Sequence, residues 1–186
     1  MTEPQRHGEG LIDPPLPYQH PGEIAAFLAY IAADPKPPRS ILEIGVWEGG
    51  TSRAFVDAFP GALVAGVDPA PWPPAYDQGA EIIVGRSQDE KARVEILNLR
   101  EQWDLVFIDG DHSEDGTMQD LEFAKMLAPR WIAIHDITCR THDQLDCWKV
   151  WDKIVEYAEK MGRETYTFQA DPDWWGIGLI RMPEAT

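Results

Sequence analysis

The chain has 186 residues, enough for one domain that buries a core without disulfides or metals. Hydrophobic residues make up 44% of it, which argues against a disordered chain. Its 16 Lys and Arg stand against 32 Asp and Glu, a net charge of −16 that argues against nucleic acid and anionic membranes and favours a neutral or cationic small molecule, although an acidic surface serving solubility alone explains the charge equally well.

Residues 1–21 read as an N-terminal arm, a loose tail or a flap over a site, ahead of a single domain over 22–186. Met1 to Gly10 is polar with no apolar run, which speaks against a signal peptide, and Pro14, Pro15, Pro17 and Pro21 forbid regular structure. From Pro21 a helix is expected with Ile24, Phe27, Leu28 and Ile31 on one face, stopped by Pro35, Pro37 and Pro38.

A rhythm of strands and helices follows. ILEIG from Ile41 predicts a buried strand, Thr51 to Phe59 a helix, and ALVAGVD from Ala62 a second strand. After a Pro-rich loop over 69–80, EIIVG from Glu81 gives a third strand and Ser87 to Arg100 a helix. WDLVFIDG from Trp103 gives a fourth strand and Asp115 to Ala128 a helix. WIAIHD from Trp131 is a fifth strand. Trp148, Trp151, Ile154, Val155 and Ala158 mark the inner face of a last helix, and ETYTFQ and WGIGLIRM close the chain as two strands.

The pattern predicts an α/β fold, a Rossmann-like doubly wound seven-stranded sheet, mostly parallel with an antiparallel last strand and helices on both faces. A ligand then lies across the carboxyl ends of the strands, at the switch point. Cys139 and Cys147 form no CxxC pattern and read as free thiols in a reducing cytoplasm, and no stretch reaches the roughly 18 apolar residues of a membrane span.

Strand one runs into Glu43-Ile44-Gly45-Val46-Trp47-Glu48-Gly49-Gly50-Thr51. A dinucleotide loop needs glycine where Trp47 stands, and a P-loop needs lysine where Thr51 stands. Glu43 and Glu48 would repel phosphate in either case. The loop suits a ligand that carries positive charge and no phosphate; an ordinary tight strand-to-helix turn is the plain alternative. Here the sequence resembles the class I S-adenosylmethionine-dependent methyltransferases, whose first motif is an acidic residue, one residue, then glycine with more glycine after. The resemblance implies S-adenosylmethionine against Glu43, Gly45, Trp47, Gly49 and Thr51. Asp68 ends strand two, where a carboxylate accepts from ribose hydroxyls or simply opens the Asp68-Pro69 turn. Ser87 follows strand three, as an adenine neighbour by the resemblance or as a helix N-cap.

Strands four and five should be neighbours, so Asp109, Asp111, His112, His135 and Asp136 should surround one point beside the cofactor. Carboxylates buried together need a positive partner, and a divalent metal, Mg²⁺ or Mn²⁺, is a natural one. The run DLVFIDGDHS, followed after one helix by WIAIHDI, resembles the cephalosporin-hydroxylase-like and macrolide-sugar O-methyltransferase group over residues 38–182. By that resemblance Asp109, which also adjoins the cofactor, and His135 and Asp136 hold the metal, and His112 is the general base. His135 replaces an acidic ligand of some members, and Glu114 stands where tyrosine is usual.

The resemblance implies metal-assisted O-methylation of a small-molecule hydroxyl. A non-catalytic cofactor binder and a metal-dependent hydrolase or hydroxylase remain as alternatives. Acceptor specificity would come from the arm, the 69–80 loop and the 137–147 loop, alone or with a neighbouring subunit of a homo-oligomer. Trp148 and Trp151 read as core, whereas Trp72 and Trp174-Trp175 either edge the acceptor site or pack on the sheet, and Tyr18 and His20 could close over it.

Overall fold

The computed structural model describes residues 16–141, 145–170 and 176–183. A first helix, α1 (Pro21–Ala32), carries Pro21 in its first turn and His20 as its cap, whose Nδ1 accepts the Gly22 N–H. Then come β1 (Ser40–Ile44), α2 (Gly50–Ala58), β2 (Leu63–Asp68), β3 (Glu81–Val84) and α3 (Glu90–Leu99). The chain continues with β4 (Leu105–Ile108), α4 (Glu114–Met126), β5 (Trp131–His135), α5 (Cys147–Met161), β6 (Thr165–Phe168) and β7 (Ile177–Arg181).

The strands form one seven-stranded sheet in the order β3-β2-β1-β4-β5-β7-β6. The first five in sequence run parallel, and β7 lies antiparallel between β5 and β6. Strand order reverses between β1 and β4, which opens a crevice at their carboxyl ends. β1, β4 and β5 are buried along their whole length, as parallel strands covered on both faces must be.

Each face has its own core. On one, Phe27 and Ile31 of α1 and Phe55 of α2 pack on Phe107, Trp131 and Leu179. On the other, Ile96 of α3, Leu121 of α4 and Val150, Trp151 and Ile154 of α5 cover Leu42, Val106 and Ile132. The doubly wound architecture is therefore the one the hydrophobic rhythm predicts.

Local departures have simple causes. The Pro-rich loop holds a single 3-10 turn at Pro73–Asp77, since consecutive prolines remove the donors a longer helix needs. α3 starts at Glu90 with Asp89 at its cap, so Ser87 does not cap it. Trp151 is core, but Trp148 is only half-buried and lies 4.6 Å beneath the Arg140 guanidinium. Trp174 and Trp175, and part of the 137–147 loop, lie outside the described residues.

Candidate active-site cleft

A cleft of about 550 Å³ opens at the carboxyl ends of the central strands. Its floor is the turn after β1. Gly45 has φ +90°, and a Cβ there would lie 2.1 Å from the Asp109 carbonyl oxygen, so only glycine lets β1 and β4 splay into this turn. Val46 and Trp47 donate their N–H groups to Asp68 Oδ2 at 2.9 and 3.0 Å, and Ala70 donates to Oδ1 at 2.7 Å. Asp68 thus holds the β1 turn and the β2 tip together while facing the cleft.

Trp47 sits at φ +49° with its ring on the rim, in edge contact with Tyr18 at 4.7 Å and Trp72 at 6.3 Å. Gly49 does not reach the cleft. Its left-handed φ of +83° starts α2, and a Cβ there would lie 2.8 Å from the Ala75 α-carbon. Its neighbour Gly50 lines the cleft instead, under the Leu16 carbonyl.

Glu43 lies 1% exposed on β1 beneath the cleft, accepting from the Ser52 hydroxyl. Burial pushes its pKa well above the usual carboxylate range, and the charges of Asp109 and Asp68 add to the rise; no cation among the described residues pairs with it. A buried carboxylate without a cation facing a cavity is a site for a cationic ligand.

The tips of β4 and β5 bring together four of the five polar groups expected there. Asp109 Oδ1 lies 3.0 Å from His135 Nδ1 and 3.4 Å from His112 Nε2. Asp136 Oδ2 lies 2.9 Å from His112 Nδ1, and its Oδ1 lies 3.1 Å from His135 Nδ1. Asp111 is the exception: it turns to the start of α4, where its Oδ1 accepts the Ser113 N–H at 3.0 Å. Asp136 adopts φ +61°, a left-handed conformation that residues other than glycine rarely take.

Charges in this cluster lock one another. Burial alone would raise Asp109, but the His135 and His112 imidazoles outweigh it and hold the carboxyl at about 2. Burial would lower His112, but hydrogen bonds to Asp109 and Asp136 outweigh it and push the imidazole up to about 10. His112 is therefore protonated at neutral pH while both carboxylates are free to hold it.

A divalent cation fits the donor set. Asp109, His112 and Asp136 each offer one ligand atom, all within 4.8 Å of one another, and a mixed carboxylate–imidazole set suits Mg²⁺ or Mn²⁺. That set contains His112; His135, stacked on Phe107 at 6.5 Å, also contacts both carboxylates.

Two cleft residues lie outside the motifs that mark the site in the sequence. Gln19 of the arm is 3% exposed; its Nε2 donates to Asp109 Oδ2 at 2.8 Å and its Oε1 accepts from Thr51 at 2.8 Å. Asp120 of α4 accepts from the Ser87 hydroxyl and, at 2.9 Å, from Gln88 Nε2. No periodicity marks a glutamine in a proline-rich arm. Asp120 had a weak signal, as an acidic residue beside Leu121 on the helix that follows the strand-four motif.

Residues 42–137 match the family model described as a methyltransferase domain. Among solved structures, the fold is similar to an O-methyltransferase from Bacillus cereus in complex with SAH, at 16% identity over 88% of this chain and 82% of that one, with a TM-score of 0.67. MycE methyltransferase from the mycinamycin biosynthetic pathway, in complex with Mg, SAH and mycinamycin VI, is similar at 15% identity over 84% of this chain and 48% of that one, with a TM-score of 0.63. A candidate caffeoyl-CoA O-methyltransferase from Staphylococcus aureus is similar at 16% identity over 90% and 86%, with a TM-score of 0.65. No curated protein sequence matches the chain significantly.

Proposed function

The chain belongs to the methyltransferase-domain family, and from that premise we propose that it transfers the methyl group of S-adenosylmethionine to a hydroxyl oxygen of a small molecule, assisted by a divalent cation. One observation carries the reading. A glycine turn lined by Glu43 and Asp68, with no phosphate-seeking lysine, shares its cleft with the Asp109–His112–Asp136 cluster. The SAH in the Bacillus cereus structure and the Mg with SAH in MycE support the pairing.

In this reading the cofactor's ammonium pairs with Glu43 and Asp109. Its amino-acid portion lies along Gly45, Trp47 and Thr51, its ribose hydroxyls donate to Asp68, and its base lies against Ser87. Gly49 contributes only the turn. Asp109 and Asp136 would hold the cation, with an imidazole as third ligand, His135 by the family resemblance. When bound, a cation there would supply a lowered pKa and a fixed orientation for the acceptor hydroxyl.

His112 acts as the base. It is charged as long as both carboxylates serve it alone. With Asp109 and Asp136 neutralised by cationic ligands, the imidazole would lose that stabilisation, its pKa would fall, and Nε2 would be free to take the hydroxyl proton. The acceptor oxygen then attacks the methyl carbon, the carbon–sulfur bond breaks onto sulfur, and S-adenosylhomocysteine leaves. A positioned base of this kind is worth about 10²–10⁴-fold in rate.

The cluster's geometry also favours a second role for His112, as the third metal ligand. Calorimetry with S-adenosylhomocysteine, with and without Mn²⁺, tests both roles. Wild type should bind the nucleoside more tightly with Mn²⁺. The His112→Ala variant should keep that tightening if the imidazole is a base and lose it if it is a ligand. Absence of any heat from folded wild type sinks the proposal.

A further inference from the structure

Resting on the methyl-transfer reading above, we infer that the rings of Tyr18, Trp47 and Trp72 and the Glu48 carboxylate form a subsite for an alkylammonium group at the mouth of the cleft. The acceptor is then a hydroxyl compound that carries a positively charged nitrogen. Tyr18 and Trp47 meet at 4.7 Å with their planes 76° apart, and Trp47 and Trp72 at 6.3 Å with their planes 80° apart. The three residues are 59%, 39% and 53% exposed, so they leave an open aromatic surface on the rim. Near-perpendicular rings build a corner rather than a slot. A flat neutral ring stacks in a slot, whereas a compact cation rests against the ring faces of a corner.

The backbone fixes that corner. The Trp72 N–H donates to the Trp47 carbonyl at 2.9 Å, which ties the loop after β2 to the β1 turn. Trp47 adopts φ +49°, a conformation that strains a bulky residue and that glycine takes freely. The turn alone gives no reason for a tryptophan there; a ring presented at the cleft mouth does.

Charge selects the ligand. Among the described residues Arg86 is the one Arg or Lys along the cleft, and carboxylates line the rest. Most of these are engaged. Glu43 takes the Ser52 hydroxyl, Asp68 the Val46 N–H, Asp111 the Ser113 N–H, and Asp109 and Asp136 the His112 imidazole. Glu48 follows Trp47 in the chain and lines the cleft half-buried, with no hydrogen-bond or ion-pair partner among the described residues. A carboxylate without a partner beside exposed ring faces attracts a cation twice, by its own charge and by the ring quadrupoles. An anionic group would be repelled by both.

NMR titration of the protein saturated with S-adenosylhomocysteine tests the inference, with choline as one probe and, as the other, its uncharged isostere in which carbon replaces the nitrogen. Choline should bind with a dissociation constant on the order of 1 mM and shift the indole N–H resonances of Trp47 and Trp72. The isostere should bind about tenfold more weakly. Trp72→Leu keeps apolar bulk but removes a ring face, so it should weaken choline by about three- to tenfold and leave the isostere unchanged. Glu48→Gln should do the same, and neither variant should alter S-adenosylhomocysteine affinity. Equal affinity for the two probes overturns the subsite, as do unmoved indole resonances or a Trp72→Leu effect shared by both probes. Choline binding that disappears when the nucleoside is present assigns the corner to the cofactor and overturns the acceptor class. Each of these outcomes leaves the methyl-transfer reading intact; absence of nucleoside binding by wild type overturns that reading and the acceptor class with it.

Discussion

Glu43 has a carboxylate buried beneath a glycine turn, and burial holds its pKa well above the ordinary range. Between the unfolded carboxylate pKa, about 4.3, and the raised folded one, the native state binds more protons than the unfolded state, so stability falls as pH rises through that interval. At neutral pH the group therefore destabilises the empty protein. Replacing it by Glu43→Gln should raise the melting temperature by about 2–4 °C, the shift that roughly 1 kcal/mol gives a chain of this length. The same variant should weaken S-adenosylmethionine binding by about 10- to 100-fold, because the ammonium loses a charged partner. A variant that neither melts higher nor binds more weakly would refute the role. Sequence alone pointed to Glu43, Asp68, Asp109, His112 and Asp136, since acidic and histidine residues at strand tips are conspicuous after apolar runs. It could not point to Gln19, whose role depends on how the arm crosses α2, a matter of long-range packing with no local signature.

The elements are set by features at both ends of the sheet. At the end away from the cleft, Asp104 Oδ2 accepts from Arg39 N at 2.8 Å, from Ser40 N at 3.1 Å and from the Ser40 hydroxyl at 3.2 Å, while Arg130 Nε lies 3.3 Å from Oδ1. One carboxylate thus ties the starts of β1, β4 and β5. Burial would raise its pKa, but the Arg39 N–H and the Arg130 charge outweigh it and leave it lowered. A lowered carboxylate stabilises above its unfolded pKa, about 3.9, and that stabilisation is lost as pH falls through the folded value. Asp104→Ala should cost about 2–3 kcal/mol, or roughly 5–10 °C in melting temperature at neutral pH, by orphaning buried donors. The gap should close under acid, and nucleoside affinity should stay unchanged because the cleft lies at the other end; loss of affinity at native fold would contradict this division. Strand positions were readable because parallel strands covered on both faces form short apolar runs, as in Ile41 to Ile44 and Leu105 to Ile108. The 3-10 turn at Pro73–Asp77 and the late start of α3 were not, because they depend on contacts with Trp72 and Asp89 that periodicity does not encode.

Across the whole molecule the sequence carries a net charge of −16, and many of its surface cations are already engaged in local pairs such as Arg53–Asp57, Lys125–Glu122 and Lys160–Glu156. The excess carboxylates therefore act as a field rather than as pairs, and a field is screened by salt with a Debye length of about 10 Å at 0.1 M. Two consequences separate at this scale. Self-repulsion among like charges opposes the compact state, so raising salt from low ionic strength to about 0.15 M should raise the melting temperature, whereas a fold resting on exposed ion pairs would lose stability. The same field acts on ligands by their charge. S-adenosylmethionine carries one positive charge more than its demethylated product, so an acidic molecule attracts the substrate and holds the product less firmly. Added salt should then weaken substrate binding more than product binding, and the ratio of the two dissociation constants should climb with ionic strength. Calorimetry of both nucleosides at low and at about 0.15 M salt measures that ratio; were it constant, the charge excess would serve solubility and have no part in cofactor exchange.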